Sequence, residues 1–301
     1  MRNITISFPW YQDQLGSPPS AIAPIYNTAL PTGVVFQNCS SPTDAALASA
    51  VAAAQALGLR VQLRPMVDPN WTINPASKSR STIGVNYTLA DWATWFDSYD
   101  DFILHYANLA ETWNVAALCV AAELTAAQSQ EGHWRGLIAS VRARFSGLLV
   151  FSTERQAVET VHFWDTLDLI GVDDYNPCPT CGDNATVAQL QMAWAGEVQR
   201  LGNLSAALGR PIVLSEVGIC SLVGHLVYPN PAFAQCYGQL QFRSLSAQAT
   251  WYTAMFQALW SQPWLQGLYL WKVTTDAPDT TDCSFNPLNK PAAVVMSKYF
   301  A

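Results

Sequence analysis

Charged side chains are scarce in this protein. They make up 12% of its 301 residues, whereas a typical globular domain has roughly 25%. The 15 Lys and Arg residues are outnumbered by 22 Asp and Glu residues, so the formal net charge is −7. No basic cluster offsets this balance, which disfavours a nucleic acid as the partner. Half of the residues are hydrophobic, which excludes an intrinsically disordered chain.

Long apolar runs and nucleotide-binding motifs are missing as well. The Ala-rich run 45–57 contains Gln55 and is shorter than the ~18–20 apolar residues that span a bilayer. Neither GxGxxG nor GxxxxGK[ST] occurs, which disfavours a nucleotide enzyme. The four histidines lie on predicted helices or in an insertion: His105, His133, His162 and His225. None of them ends a predicted strand, which disfavours a metalloenzyme. We expect no metal and no organic cofactor.

Asn-x-Ser/Thr sequons are more frequent than an ordinary composition predicts, which is about two or three. Six occur, at Asn3, Asn38, Asn70, Asn86, Asn184 and Asn203. The excess indicates a secreted glycoprotein, with drift in a Ser/Thr-rich chain as the alternative. The first ten residues, MRNITISFPW, lack the apolar region of a signal peptide.

The seven cysteines also favour a secreted protein, because disulfides form in oxidising compartments. Cys119 lies in an apolar run, and we predict a buried thiol there. The other six lie in predicted loops, where disulfides are plausible: Cys39, Cys178, Cys181, Cys220, Cys236 and Cys283. The spacing of Cys178 and Cys181 could bind zinc or serve redox chemistry. Because no second pair is present and the loop is Pro-rich, a local disulfide is favoured.

Short, continuously apolar runs alternate with helical patterns along the chain, as expected for parallel strands that are covered on both faces. Strands are predicted at 3–8, 59–67, 115–123, 147–152, 167–174, 211–217 and 266–272. Helices are predicted at 43–57, 89–112, 130–145, 155–164, 186–208 and 247–261. No linker interrupts the pattern, so we predict one α/β domain over residues 1–301 with the (β/α)8 TIM-barrel fold.

The strand count is one short of the eight that a barrel needs. The run 33–37 could supply another strand, but the Pro-rich segment 9–32 before it shows no helical period. The simpler interpretation is that the barrel lacks its first β-strand and helix in this chain.

Two glutamates end apolar runs. Glu123 ends VAALCVAAE and Glu216 ends PIVLSE. Burying an unpaired carboxylate costs several kcal/mol, and barrel enzymes carry their chemistry at the C-terminal ends of the strands. Each glutamate alone could be a salt-bridged residue. Two of them on separate strands are the minimum equipment of a glycoside hydrolase, which uses one as acid and one as nucleophile or base.

Aromatic and polar residues near other strand ends suit a sugar-binding cleft, because aromatic faces stack on pyranose rings and polar groups bind hydroxyls. The candidates are Trp10, Tyr11, Arg64, Asp68, Asp173, Tyr175, Asn176 and Trp271. Other tryptophans have helical spacings and are predicted to be core residues: Trp92, Trp95, Trp113, Trp194, Trp251 and Trp260.

The order of these segments resembles a known family. The chain reads LGLRVQLRPMVDP, CVAAEL, FWDTLDLIGVDDYNP, RPIVLSEVG and QGLYLWK in turn, which is similar to the glycoside hydrolase family 113 β-mannanases. The resemblance implies a retaining clan A barrel with its acid/base Glu after strand four and its nucleophile Glu after strand seven. Glu123 and Glu216 take these two places if the first run here is strand two.

The resemblance also implies roles for other residues. Tyr175 matches a tyrosine that orients the nucleophile. Trp271 matches a tryptophan that forms the floor of the −1 subsite, which holds the sugar whose glycosidic bond is cleaved. Arg64 stands where the family commonly has Lys, and three further cleft positions are matched by Trp10, Tyr11 and Asp68. One departure is Ala122, because the residue before the acid/base is usually polar and can contact the sugar 2-hydroxyl.

We therefore predict a secreted, monomeric retaining hydrolase of a β-linked polysaccharide, most simply β-1,4-mannan. The apolar neighbours of Glu123 would favour its protonated form. One alternative is a catalytically weak or inactive glycan-binding barrel, which Ala122 and the missing strand motivate. Another is a hydrolase of a different β-glycan, because loops rather than catalytic residues determine specificity.

Overall fold

A computed structural model describes residues 2–26, 40–73, 79–229, 242–273 and 282–300. The chain divides into two compact units, Met1–Ile170 and Gly171–Ala301. The candidate strand 33–37, the sequon at Asn38 and two cysteines, Cys39 and Cys236, lie outside the described residues. No helix in the described part of the chain is both long and apolar enough to cross a membrane.

The first unit is built on a mostly parallel sheet. Its strands are β1 (Asn3–Gln12), β2 (Ile22–Ala23), β3 (Arg60–Pro69), β4 (Ala117–Ala122) and β5 (Leu148–Glu154). Their order in the sheet is β2-β1-β3-β4-β5. The short β2 is antiparallel to β1, whereas β1, β3, β4 and β5 run parallel. The carboxyl ends of β3, β4 and β5 therefore lie on one side of this sheet.

Three helices complete the first unit: α1 (Asp44–Ala56), α2 (Leu89–Thr112) and α3 (Glu131–Arg142). Helix α2 begins at a capping box in which Thr88 and Asp91 bond each other's backbone N–H groups, which satisfies donors that would otherwise lack partners. Its buried face carries Trp95, whose ring stacks on Tyr99 with centroids 4.8 Å apart. The Trp95 indole N–H donates to Gln12 Oε1 at 3.0 Å. The aromatic face of α2 is thus joined to the end of β1.

Replacing Trp95 with alanine is expected to lower the free energy of unfolding by roughly 3–5 kcal/mol, because the fully buried ring leaves a cavity. Leu89→Ala on the same helix is the matched control, since Leu89 is 87% exposed and surface substitutions usually change stability by about 0.5 kcal/mol or less. Urea unfolding measures both. Equal losses in the two variants would contradict the assignment of this face as core.

The second unit begins within strand β6 (Leu169–Asp173) and contains strands β7 (Ile212–Val217) and β8 (Leu265–Leu270), in the order β6-β7-β8. Its helices are α4 (Val187–Leu208), α5 (Leu245–Leu259) and α6 (Pro291–Phe300). Helix α4 begins at a capping box of Thr186 and Gln189. Trp194 of α4 meets Trp251 of α5 edge to face at 5.6 Å, so these two helices share a core.

The structure confirms the α/β class: strands that are mostly parallel alternate with helices, consistent with a (β/α)8 barrel. The absent first strand and helix stay a prediction, as does the single domain. The helix predicted at 155–164 is wrong, because this segment forms only two short 3₁₀ helices, Val158–Thr160 and Trp164–Thr166. Buried residues such as Phe163 and Trp164 belong to the core. Their apolar spacing resembles that of a helix, although the segment is not one.

Among the elements that were not predicted are one strand and one α-helix. Strand β2 has only two residues, and α6 begins at Pro291, which suits the first turn of a helix. Four of the predicted core tryptophans are confirmed as buried: Trp92, Trp95, Trp194 and Trp251. Trp260 is 47% exposed, so its prediction is wrong. It lies at the end of α5, where it packs edge to face on Tyr299 of α6.

Candidate active site

Glu123 directly follows β4 and departs from strand geometry. Its backbone φ is +53°, a left-handed conformation that is strained for a residue with a β-carbon. Its N–H still donates to the Ser152 carbonyl of β5 at 3.0 Å. The backbone therefore leaves the strand at Glu123, and its side chain stays about 20% exposed. A strained residue at a strand end is typical of functional sites.

Arg80 joins Glu123 to Asp68. It begins the 3₁₀ helix Arg80–Thr82, where Ser79 is the N-cap. The Arg80 Nε lies 2.7 Å from Asp68 Oδ1, and Nη1 lies 3.3 Å from Glu123 Oε2. The Arg80 side chain is 12% exposed, so both contacts are shielded from bulk water. The first unit thus brings Glu123 and Asp68 to one guanidinium, which no sequence motif had indicated.

Arg64 is fully buried within β3. Its Nη2 lies 3.5 Å from Ser152 Oγ of β5, and its Nη1 lies 3.8 Å from the Met66 sulfur. Arg64 and Asp68 both belong to β3 itself, whereas the predicted strand 59–67 contains Arg64 but ends one residue before Asp68. The strand is longer than its apolar run because its polar residues also pair with β1.

Trp10 and Tyr11 also lie inside a strand, β1, rather than after it. The Trp10 indole N–H donates to the Tyr106 hydroxyl of α2 at 2.8 Å, and its ring packs on Phe102. The Tyr11 hydroxyl accepts from the Ser40 N–H at 3.0 Å. These contacts give both rings a packing role within the first unit, and their contact with sugar stays a prediction.

Glu216 is buried in β7. Its carbonyl accepts from the Asp174 N–H at 2.8 Å, which pairs the ends of β6 and β7. The next residue, Tyr175, donates its hydroxyl to Glu216 Oε2 at 2.5 Å. A short bond to an ionised acceptor is among the stronger hydrogen bonds in proteins. The predicted neighbourhood of Tyr175 and Glu216 is therefore present in the second unit.

Two other predicted residues lie beside Tyr175 in sequence. Asp173 is the last residue of β6 and is buried. Asn176 is buried as well and donates from Nδ2 to the Ala193 carbonyl of α4 at 3.1 Å. This bond fixes the chain after Tyr175 to a helix, which limits the positions that the tyrosine can take.

Trp271 follows β8 and approaches the end of β7. Its N–H donates to the Val217 carbonyl at 2.9 Å. Gly218 permits this approach, because a β-carbon there would lie 2.1 Å from the Trp271 carbonyl oxygen. Trp271 and Tyr175 pack against one buried cluster, formed by Cys220, Leu222, Cys283 and Phe285. The second unit therefore packs both aromatic rings against the same cluster.

A buried lysine holds the loops behind this cluster together. Lys290 Nζ donates to Ser221 Oγ at 3.1 Å and to the Ser284 carbonyl at 2.9 Å, and lies 3.2 Å from Asp282 Oδ2. Burial lowers the pKa of Lys290, and the charge of Asp282 opposes this shift. Burial also raises the pKa of the neighbouring Cys220 thiol, which favours its neutral form.

The cysteine predictions meet with mixed outcomes. The local disulfide between Cys178 and Cys181 is confirmed, and Cys283 is disulfide-bonded too. Cys119 is a buried free thiol, as predicted. The prediction of a disulfide at Cys220 is wrong, because Cys220 is a free thiol buried in the cluster behind Trp271. Apolar packing, rather than cross-linking, accounts for its place.

Tyr175→Phe is expected to lower turnover by roughly 10- to 100-fold with a smaller change in KM, because a hydrogen bond to a charged group contributes about 1.5–3 kcal/mol. Steady-state kinetics on the substrate proposed below checks this. Tyr228→Phe is the matched control, since that tyrosine is 68% exposed in the same unit. Full activity in Tyr175→Phe would show that the bond to Glu216 is dispensable.

Comparisons with known proteins find one family model and several solved structures that are similar to this chain. The model of Glycoside Hydrolase Family 113 matches residues 20–287. A GH113 β-1,4-mannanase structure is 25% identical with a TM-score of 0.80, and the match covers 100% of this chain and 88% of that one. The GH113 β-mannanase of Alicyclobacillus acidocaldarius is 28% identical at the same TM-score, with 100% and 87% covered. No functionally curated protein matches the chain.

A more distant likeness reaches other glycosidases. A fungal β-1,4-galactanase structure has a TM-score of 0.55 at 13% identity, with 97% of this chain and 84% of the other covered. At this identity the likeness concerns the fold alone.

Proposed function

The chain belongs to glycoside hydrolase family 113, and we propose that this glycoside hydrolase cleaves β-1,4-mannan with retention of configuration. The observation that supports this substrate most is the likeness of the whole chain to two GH113 mannanases at a TM-score of 0.80. The two glutamates at the strand ends support the mechanism, because retaining glycosidases use a pair of carboxyl groups.

In the proposed mechanism, Glu216 attacks the anomeric carbon while Glu123 protonates the departing glycosidic oxygen. Glu123 then takes a proton from water, whose oxygen releases the sugar from Glu216. This double displacement requires the two carboxyl groups to lie about 5–5.5 Å apart in the working enzyme. The bond from Tyr175 to Glu216 at 2.5 Å supports the nucleophile role, since it holds the carboxylate in one orientation.

Sugar binding in this proposal uses groups that lie near the two glutamates within each unit. Asp68 and Glu123 both contact Arg80. Arg64, which belongs to β3 like Asp68, is buried. In the second unit, Trp271 would stack on the sugar ring. Asp173 at the end of β6 and Asn176 after it would bind hydroxyls. Trp10 and Tyr11 would act from farther out.

Ala122 motivates a second candidate, a weak or inactive barrel that binds glycans. A reducing-sugar assay on β-1,4-mannan, with β-glucan, xylan and β-1,4-galactan in parallel, distinguishes the candidates. We expect release of reducing ends from mannan, slower or absent release from the others, and no release by Glu216→Gln. Cleavage of another glycan in preference to mannan would replace the proposed substrate. Binding of mannan without cleavage would favour the second candidate.

We also propose that the protein is secreted and carries N-linked glycans. The disulfide between Cys178 and Cys181 supports an oxidising compartment. Four described sequon asparagines are exposed, namely Asn3, Asn86, Asn184 and Asn203. Asn70 is buried, and its Nδ2 donates to Asp13 at 2.7 Å. Endoglycosidase treatment of the secreted protein, followed by peptide mass spectrometry, would find glycans on exposed asparagines and none on Asn70. The monomeric state stays a prediction.

A further inference from the structure

The guanidinium of Arg80 contacts two carboxylates, Asp68 in β3 and Glu123 after β4. Asp68 binds its Nε at 2.7 Å, and Glu123 Oε2 lies 3.3 Å from its Nη1. The Met66 sulfur lies 3.2 Å from Nη1 as well. Arg80 is thus held at one edge by β3 and presents another edge to the glutamate after β4. This contact is separate from the support that Tyr175 gives to Glu216.

The backbone around Arg80 keeps the guanidinium in place. Ser79 caps the 3₁₀ helix through its bond to the Ser81 N–H at 3.1 Å. Gly84 follows at a φ of +97°, where a β-carbon would lie 2.1 Å from the ring of Trp92. The segment therefore packs closely against α2 at Gly84, four residues after Arg80. Its arginine is positioned before any substrate arrives, which lowers the cost of ordering.

A permanently charged donor constrains the oxygen that it binds. Arginine keeps its proton at all ordinary pH values, so an oxygen that accepts from it presents a lone pair there. The acid form of Glu123 would then carry its proton on Oε1, while Oε2 keeps the bond to Arg80. We propose that Arg80 is a positioning residue that orients Glu123 so that Oε1 is the atom that donates and later accepts the catalytic proton.

This proposal rests on the proposed function and assigns the proton at each step. In the first step, the Oε1 proton moves to the glycosidic oxygen as the bond from that oxygen to C1 breaks and a bond from C1 to Glu216 forms. The electron pair of the O–H bond stays on Glu123, where Arg80 faces the new negative charge. In the second step, Oε1 takes a proton from water, the water oxygen bonds C1, and the bond to Glu216 breaks.

The test compares two substrates that need acid assistance to different degrees. Mannopentaose has a poor leaving group and needs the proton from Glu123. A 2,4-dinitrophenyl β-mannobioside has a good leaving group and needs little. Arg80→Met should lower kcat/KM on mannopentaose by roughly 100-fold, in line with the value of general acid catalysis. The same variant should lower kcat/KM on the aryl substrate by less than about fivefold.

The matched control is Arg135→Met. Arg135 also bridges two carboxylates, with Nε 2.7 Å from Glu131 and Nη2 2.9 Å from Asp165. These contacts lie on α3 and on the 3₁₀ helix Trp164–Thr166. We expect equal, small changes on both substrates. Equal losses on the two substrates in a folded Arg80→Met would overturn the proposal, because a purely structural arginine has no reason to distinguish leaving groups.

A second variant is used if circular dichroism shows that Arg80→Met does not fold. Arg80→Lys keeps the charge but loses the planar fork that bonds two carboxylates at once. It should show the same selective loss on mannopentaose at a smaller size, and a uniform loss would again overturn the proposal. A wild-type enzyme that is inactive on both substrates would refute the proposed function and this inference with it. An active wild type with uniform variant losses refutes the inference alone.

Discussion

Glu216→Ala is expected to lower kcat/KM on β-1,4-mannan by at least roughly 10⁴-fold, because the variant has no carboxylate to form the glycosyl-enzyme bond. A loss of this size corresponds to about 5 kcal/mol of transition-state stabilisation. Glu216→Gln should lose a similar factor. The amide keeps the volume of the side chain and can still accept from Tyr175, but it is a poor nucleophile.

Stability and activity must be separated for this residue, because Glu216 is buried. The fold of both variants is checked by circular dichroism and by thermal unfolding before kinetics. Glu159→Gln, at an exposed glutamate, is the control for a charge change of the same kind. Wild-type turnover in a folded Glu216→Gln would refute the nucleophile assignment, whatever the family likeness.

Glu123→Ala is expected to show a loss that depends on the leaving group. General acid catalysis contributes roughly 10²–10⁴-fold, so cleavage of mannan should fall by about that factor. The first step on a 2,4-dinitrophenyl β-mannobioside should change little. Because the variant has no base to activate water, the glycosyl-enzyme should accumulate on this substrate.

Sodium azide supplies the diagnostic for Glu123. A small anionic nucleophile needs no general base, so azide should restore turnover of Glu123→Ala on the aryl substrate and give the β-mannobiosyl azide, identified by NMR. The same treatment should leave Glu216→Ala inactive. Rescue of Glu216→Ala by azide with formation of the α-azide, and none for Glu123→Ala, would exchange the two roles.

The strands and the two glutamates could be predicted from local pattern. A parallel strand that is covered on both faces is continuously apolar, so a carboxylate at its end stands out. This pattern indicates Glu123 and Glu216, and β4 and β7 end within two residues of the predicted bounds. Tyr175 follows from family likeness, and its hydroxyl lies 2.5 Å from Glu216 Oε2.

Long-range contacts of loop residues could not be predicted in this way. Arg80 reaches Glu123 across 43 positions of sequence, and nothing in the neighbouring sequence distinguishes it from an arginine on the surface. The packing of a ring is equally hidden: the place of Trp10 near the end of an apolar run did not indicate that its ring packs on Phe102 of α2. The hydrophobic period of the sequence indicates helices and strands. Contacts such as these depend instead on how side chains pack between helices, strands and loops.

Covalent trapping tests the central claim most directly. Incubation with 2-deoxy-2-fluoro-β-mannosyl fluoride, or its mannobiosyl equivalent, should stop at the glycosyl-enzyme, because the fluorine slows both steps and the fluoride leaves readily. Intact-mass and peptide mass spectrometry should find one sugar per chain, attached to Glu216, and no adduct in Glu216→Ala. A sugar bonded to any other residue, or turnover to an α-configured product without an adduct, would contradict the account.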